Sequence, residues 1–183
     1  MPHKIRVPFL RQDYRCDSLY TVLNGLNSAI LAIDKKVKEI HWYDGLWARE
    51  EVEPVIGLAF VALQNYINKS IADYNKTFGL NIPKNAYYKH NEIFNTSDKT
   101  LIELIVALAN YAKHDEDELP RKHTRETLDS FSLKYINFTI EESPIINGLA
   151  MICANWELTP LYEKAITWRE SIWNDKLFQS SNS

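Results

Sequence analysis

The chain carries one stretch whose residue types invite a chemical reading: Ala109-Asn110-Tyr111-Ala112-Lys113-His114, followed by four consecutive acids, Asp115, Glu116, Asp117 and Glu118. Histidine titrates near neutrality, so His114 is the side chain of this set that exchanges a proton under ordinary conditions. Cleavage of a phosphodiester without a metal needs such a group together with a cation that holds the phosphate in the transition state, a task suited to the donor fork of arginine. Neither Ala109 nor Asn110 provides that cation. Lys113 is adjacent to His114, and neighbours on a helix point about 100° apart, so it is not a positional replacement. The acids that follow repel phosphate.

An antiparallel pair of long helices followed by a helix that ends in Asn-xxx-His resembles the HEPN superfamily of small helical proteins. Family ribonucleases carry Arg-x(4 to 6)-His, often with a polar residue after the arginine, near a helix end at a dimer interface. Over residues 17 to 118, Asn110 matches the polar position and His114 the histidine, while the arginine position holds Ala109. The resemblance therefore implies a helical fold and a degenerate motif. A divergent ribonuclease would recruit Arg121 or Arg125, the nearest in sequence, with homodimerisation completing the site.

Each remaining candidate has a structural and a functional reading. His114 is a helix-terminal residue whose protonated form meets the negative end of the helix dipole, or a binding residue. Asp115 to Glu118 form a solvated helix end, or a surface that mimics nucleic-acid phosphates and docks on a basic cleft. Arg121-Lys122-His123 and Arg125 balance those acids locally and lack the interleaved aromatics that stack bases. His90-Asn91-Glu92 has no second ligand pair at helical spacing, so no metal site is expected. The sequence has no Gly-rich phosphate loop, GxSxG elbow or HExxH element, and no cofactor is expected. Trp156, Tyr162, Trp168 and Trp173 read as core or as interface anchors.

The elements that must position these residues are helical. Leu19, Val22, Leu23, Leu26, Ile30, Ile33, Val37 and Ile40 advance in helical steps and predict a helix over 17 to 42, capped by Asp17 or Ser18. A second stripe from Val52 to Phe78 predicts a long partner over 50 to 78, with Pro54 in its first turn and Gly79 as its stop. Residues 80 to 96 read as a loop pinned by aromatics. A third helix over 98 to 115 is capped by Thr96 or Ser97. Thr124 to Phe131 suggests a short helix, while Leu133 to Ile140 alternates as a strand does. Ser143-Pro144 opens a helix to about Trp156, and Thr159-Pro160 opens the last, from 160 to 177. The expectation is an all-α, single-domain bundle of five or six helices over residues 1–183, with an N-terminal arm (1–16) and a frayed tail (179–183).

Composition narrows the function classes. The 183 residues have a formal charge of -3 and a pI near 6.0, which supply no basic footprint for nucleic acid. No direct nucleic-acid partner is expected. Two distant cysteines, Cys16 and Cys153, do not make a disulfide framework or a zinc site. No secretion signal or membrane span is apparent, and a reducing cytoplasm fits best. Aromatic content is high, with five Trp, ten Tyr and seven Phe. These features favour a non-catalytic, protein-binding domain, a cytosolic immunity protein that covers the active site of a basic toxin domain, with His114 and Asp115 to Glu118 as partner-binding residues. The alternative is the divergent HEPN-type ribonuclease of a toxin-antitoxin system.

Overall fold

Helical spacing of Leu19, Leu23, Ile30 and Ile33 puts all four on the buried face of the first helix, α1 (Cys16–Glu39). The computed structural model describes residues 9–90, 92–95, 97–114 and 119–175. Among them are seven α-helices, three short 3-10 turns and a single isolated bridge, Ile93 to Thr100, in place of any strand. The chain is an all-α bundle with one contiguous core.

The second helix, α2 (Gly45–Phe78), is the spine. It begins five residues earlier than the apolar stripe implies because Asp44 accepts from the amides of Leu46 (2.9 Å) and Trp47 (3.1 Å), which satisfies two orphan donors of the first turn. Pro54 consequently lies inside the helix and not in its opening turn. Gly79, at φ 65°, ends it in the left-handed conformation that glycine adopts freely. Thirty-four residues give α2 a length of about 51 Å. Ion pairs at opposite ends, Lys36 with Glu51 (2.7 Å) and Arg15 with Asp73, show α1 running antiparallel to it.

Between α2 and the next long element lies α3 (Lys84–Tyr88), a single turn within what reads in sequence as loop. Its aromatics do pin it: Tyr87 and Tyr88 donate to Asn75 (2.5 Å) and Asn68 (2.6 Å) of α2. Burial pushes both hydroxyls up to about 12. The fourth helix, α4 (Leu101–Lys113), is capped by Thr100, not by Ser97, whose hydroxyl accepts from Lys99 instead; Thr96 lies outside the described residues. Thr100 and Glu103 form a reciprocal capping box. The helix lies antiparallel on α2, with Gln64 against Val106 and Gly57 against Ala112.

The chain then forms α5 (Lys122–Ser130), α6 (Pro144–Ile152) and α7 (Thr159–Asn174). Leu133 to Ile140 does not form a strand: Asn137 takes φ 51°, and no partner strand is present among the described residues. Ser143 caps α6 as its sequence implies, but the helix stops at Ile152, and Asn155 and Trp156 both take left-handed backbone. At α7 the proline sits in the first turn, yet Leu158 occupies the cap position and no side chain caps the helix. Trp168 and Trp173 are buried core, while Trp156 and Tyr162 are only partly buried. The tail from 176 onward lies outside the described residues.

Candidate functional site

The C-terminal end of α4 gathers the polar side chains singled out in sequence. Its position is set by a close approach of helices: a Cβ on Gly57 would stand 3.1 Å from that of Ala112, so the absence of a side chain at 57 brings this part of α4 against α2. Two turns further along α2, Gln64 is buried and turns its amide toward α4. Its Nε2 donates to Asn110 Oδ1 (2.8 Å) and Val106 O (3.3 Å), and its Oε1 accepts from Lys113 Nζ. Both ends of the amide are thereby used, as a buried polar group requires. Gln64 is invisible to motif reasoning because its partners lie more than forty residues away; the one available signal is a polar residue on the otherwise apolar α2 stripe.

Lys113 is held below the ordinary lysine range, first by partial burial and then by the nearby charges of Arg121 and Lys84. It points at Gln64, while His114 forms the C-cap of α4 with its backbone N–H on Tyr111 O (3.0 Å). Asn110, His114, Pro120, Arg121 and Thr124 line one small cleft of about 50 Å³. The structure thus brings Arg121 to the Asn110 and His114 pair. Arg125 does not line that cleft, and its Nε is buried without a hydrogen-bond partner. Asp115, Glu116, Asp117 and Glu118, the other residues expected to bind a partner, lie outside the described residues.

His90 Nε2 lies 3.4 Å from Asp175 Oδ2. No three His, Cys, Asp or Glu side chains converge on a metal-sized space among the described residues. Cys153 is buried, and that burial pushes its thiol up to about 11.

A second feature stands at the turn between α1 and α2. Trp42 is 74% exposed, Trp47 55% and Leu46 46%, three large apolar side chains within six residues of chain. In the sequence, position 42 is only the last residue of the predicted first helix. The turn is rigidly framed: Tyr43 packs into the core, Asp44 caps α2, and Ile40 bonds back to Lys36 O.

Fold and site together define a helical bundle with an apolar hairpin tip and a polar cleft at the end of α4. Comparison with models of known protein families, with curated proteins and with solved structures finds no match. No helix among the described residues is long and apolar enough to cross a membrane.

Proposed function

We propose that the chain is a non-catalytic protein-binding domain whose hairpin tip anchors the partner. The observation that carries this reading is the exposure of Trp42, Leu46 and Trp47 on a capped, well-framed turn. Clustered exposed apolar groups mark interaction surfaces, and tryptophan dominates binding hot spots. The finer form of the proposal is a cytoplasmic immunity protein that covers the active site of a basic toxin domain. The net charge of -3 and the acidic run from Asp115 to Glu118 support a basic partner by charge complementarity.

The test is affinity capture from native lysate, with the captured protein identified by mass spectrometry, purified and assayed alone and in complex. Trp42→Ala and Trp47→Ala should each weaken binding by about 30-fold, the size of a hot-spot residue of 2 kcal/mol. The captured protein should lose its activity in the complex. Unchanged affinity of both variants would remove the tip from the interface, and a fully active complex would end the neutralisation reading.

One observation favours a second reading, the divergent HEPN-type ribonuclease: Arg121 lines the same cleft as Asn110 and His114. A volume near 50 Å³ suits a water or a phosphate oxygen, not a base. The purified protein is expected to leave transfer RNA intact. Cleavage that disappears in both His114→Ala and Arg121→Ala would place the enzyme reading first.

A further inference from the structure

An apolar groove of about 420 Å³ lies between α2 and the end of α4. Its volume falls within the roughly 300 to 1,000 Å³ of small-molecule sites, which are likewise mostly apolar with a few placed polar groups. Pro54, Leu58 and Val61 form the α2 wall and Ala112 the wall on α4. Leu58 is exposed at the rim, an apolar surface that a ligand in the groove would cover. Two charged groups line the groove, Glu53 and Lys113. Glu53 accepts from the hydroxyl of Ser143. Lys113 donates to Gln64 Oε1, a neutral acceptor, and the charges that act on it, those of Arg121 and Lys84, are both positive. Among the described residues no carboxylate pairs with any of these three cations. Glu53 and Gln64 are eleven residues apart on α2, about 16 Å along its axis, so the groove is anionic toward one end and cationic toward the other.

From this arrangement we infer that the groove binds a small amphiphilic carboxylate, a medium-chain fatty acid, with its carboxylate on Lys113 and its chain along Val61, Leu58 and Pro54. An ammonium group has three donors, and Gln64 takes one of those on Lys113, which leaves two for a carboxylate. Gln64 also fixes where the ammonium stands, because its own amide is held by Asn110 and by Val106 O. A carboxylate delivered there relieves the repulsion among Lys113, Arg121 and Lys84. The same head group at the other end would meet Glu53, a like charge, so the polarity of the groove sets the direction in which the ligand lies. The chain contributes by removing apolar surface from water, its own and that of the α2 wall. An alcohol of the same length keeps only this second contribution, and a cationic amphiphile is repelled at Lys113.

This site is independent of the partner-binding reading, because purified protein and one small molecule test it. The probe is decanoate, titrated into the full chain below its micellar concentration and followed by calorimetry and by amide chemical shifts. One molecule should bind per chain, with the largest shifts at Gly57, Val61 and Ala112. Decanol and decyltrimethylammonium should each bind at least about 10-fold more weakly, the worth of one hydrogen bond to a charged group. Lys113→Gln should weaken decanoate by about 10-fold and leave decanol unchanged. Leu58→Asp tests the same groove without touching the Gln64 network: it should weaken decanoate and decanol alike, with an unchanged circular dichroism spectrum and melting curve, since the side chain is on the surface. Absence of saturable binding, decanol bound as tightly as decanoate, or shifts centred on Trp42 and Trp47 in place of the groove would overturn the inference. So would decanoate affinity that is unchanged in both variants.

Discussion

Arg169 offers the sharpest measurement of what holds the N-terminal segment to the bundle. Its side chain is 3% exposed and reaches four groups at once. It donates to the carbonyls of Leu10 (3.2 Å) and Arg11 (2.9 Å), donates to Glu170 Oε1 (2.6 Å), and faces the Asp13 carboxylate across 3.6 Å. The guanidinium also lies 5.1 Å from the Trp173 ring. Arg169→Met keeps most of the stem and removes the charge, leaving Asp13, itself only 15% exposed, without its cation. Removing one partner of a buried pair costs about 3 to 5 kcal/mol. Asp13 keeps the hydroxyl of Tyr66 and some access to water, which selects the lower end, about 3 kcal/mol, or about 6 to 12 °C in melting temperature for a chain of this size. Asp13→Asn preserves shape and should cost about 1 to 2 kcal/mol. In urea unfolding the double variant should show coupling of about 1 to 2 kcal/mol between the sites. Trypsin should also cut after Arg11 and Arg15 faster in Arg169→Met than in the parent, as the segment loses its anchor. A loss below about 1 kcal/mol, or strict additivity, would show that Arg15 with Asp73 and Arg11 with Glu170 suffice to hold it.

Two further outcomes follow from packing and from titration. At Gly148 a Cβ would stand 2.5 Å from Leu108 Cδ1 in the core; Gly148→Ala should therefore lose about 1 to 2 kcal/mol in urea unfolding, overpacking outweighing the roughly 1 kcal/mol gained in helix propensity, and a stabilised variant would refute the clash. Cys153, pushed up to about 11 from an ordinary 9.0 by burial, should have about 100-fold less thiolate at pH 8 and should alkylate correspondingly slowly, as read by mass spectrometry. Because the folded pKa is raised and the neutral thiol is the favoured form, this group's contribution to stability is complete below pH 9 and is lost between about 9 and 11.

Long-range order was legible in the sequence where a stripe met a stop. The α1 and α2 stripes and Gly79 mark the hairpin because apolar spacing and left-handed backbone are local properties. Helix starts were less legible: Asp44, Thr100 and Leu158 take the cap positions where the sequence pattern started the second helix near 50 and offered Thr96 or Ser97 and Thr159 for the others, since several nearby residues have capping chemistry and only tertiary contacts choose between them. Thr100 is selected partly because its hydroxyl also donates to Tyr88 O at 2.6 Å, a contact that exists only once α3 has docked. The alternation from Leu133 to Ile140 has a similar limit. A period of two buries one face of a strand, but a strand also needs a neighbour to pair its backbone, and the helical chain around it supplies none among the described residues.

The polar cluster shows what spacing leaves out. His114 and Asn110 were found by their separation in sequence, whereas Arg121 joins them only because α5 turns back along the end of α4. Gln64 joins Asn110 and Lys113 only because Gly57 lets α4 lie close to α2. A larger residue at 57 should therefore spread the two helices and loosen Gln64 from both Asn110 and Lys113. Gly57→Leu should lower stability in urea unfolding by about 1 to 3 kcal/mol through overpacking against Ala112. A Gly57→Leu protein as stable as the parent would show that the approach of α4 to α2 does not depend on the missing side chain.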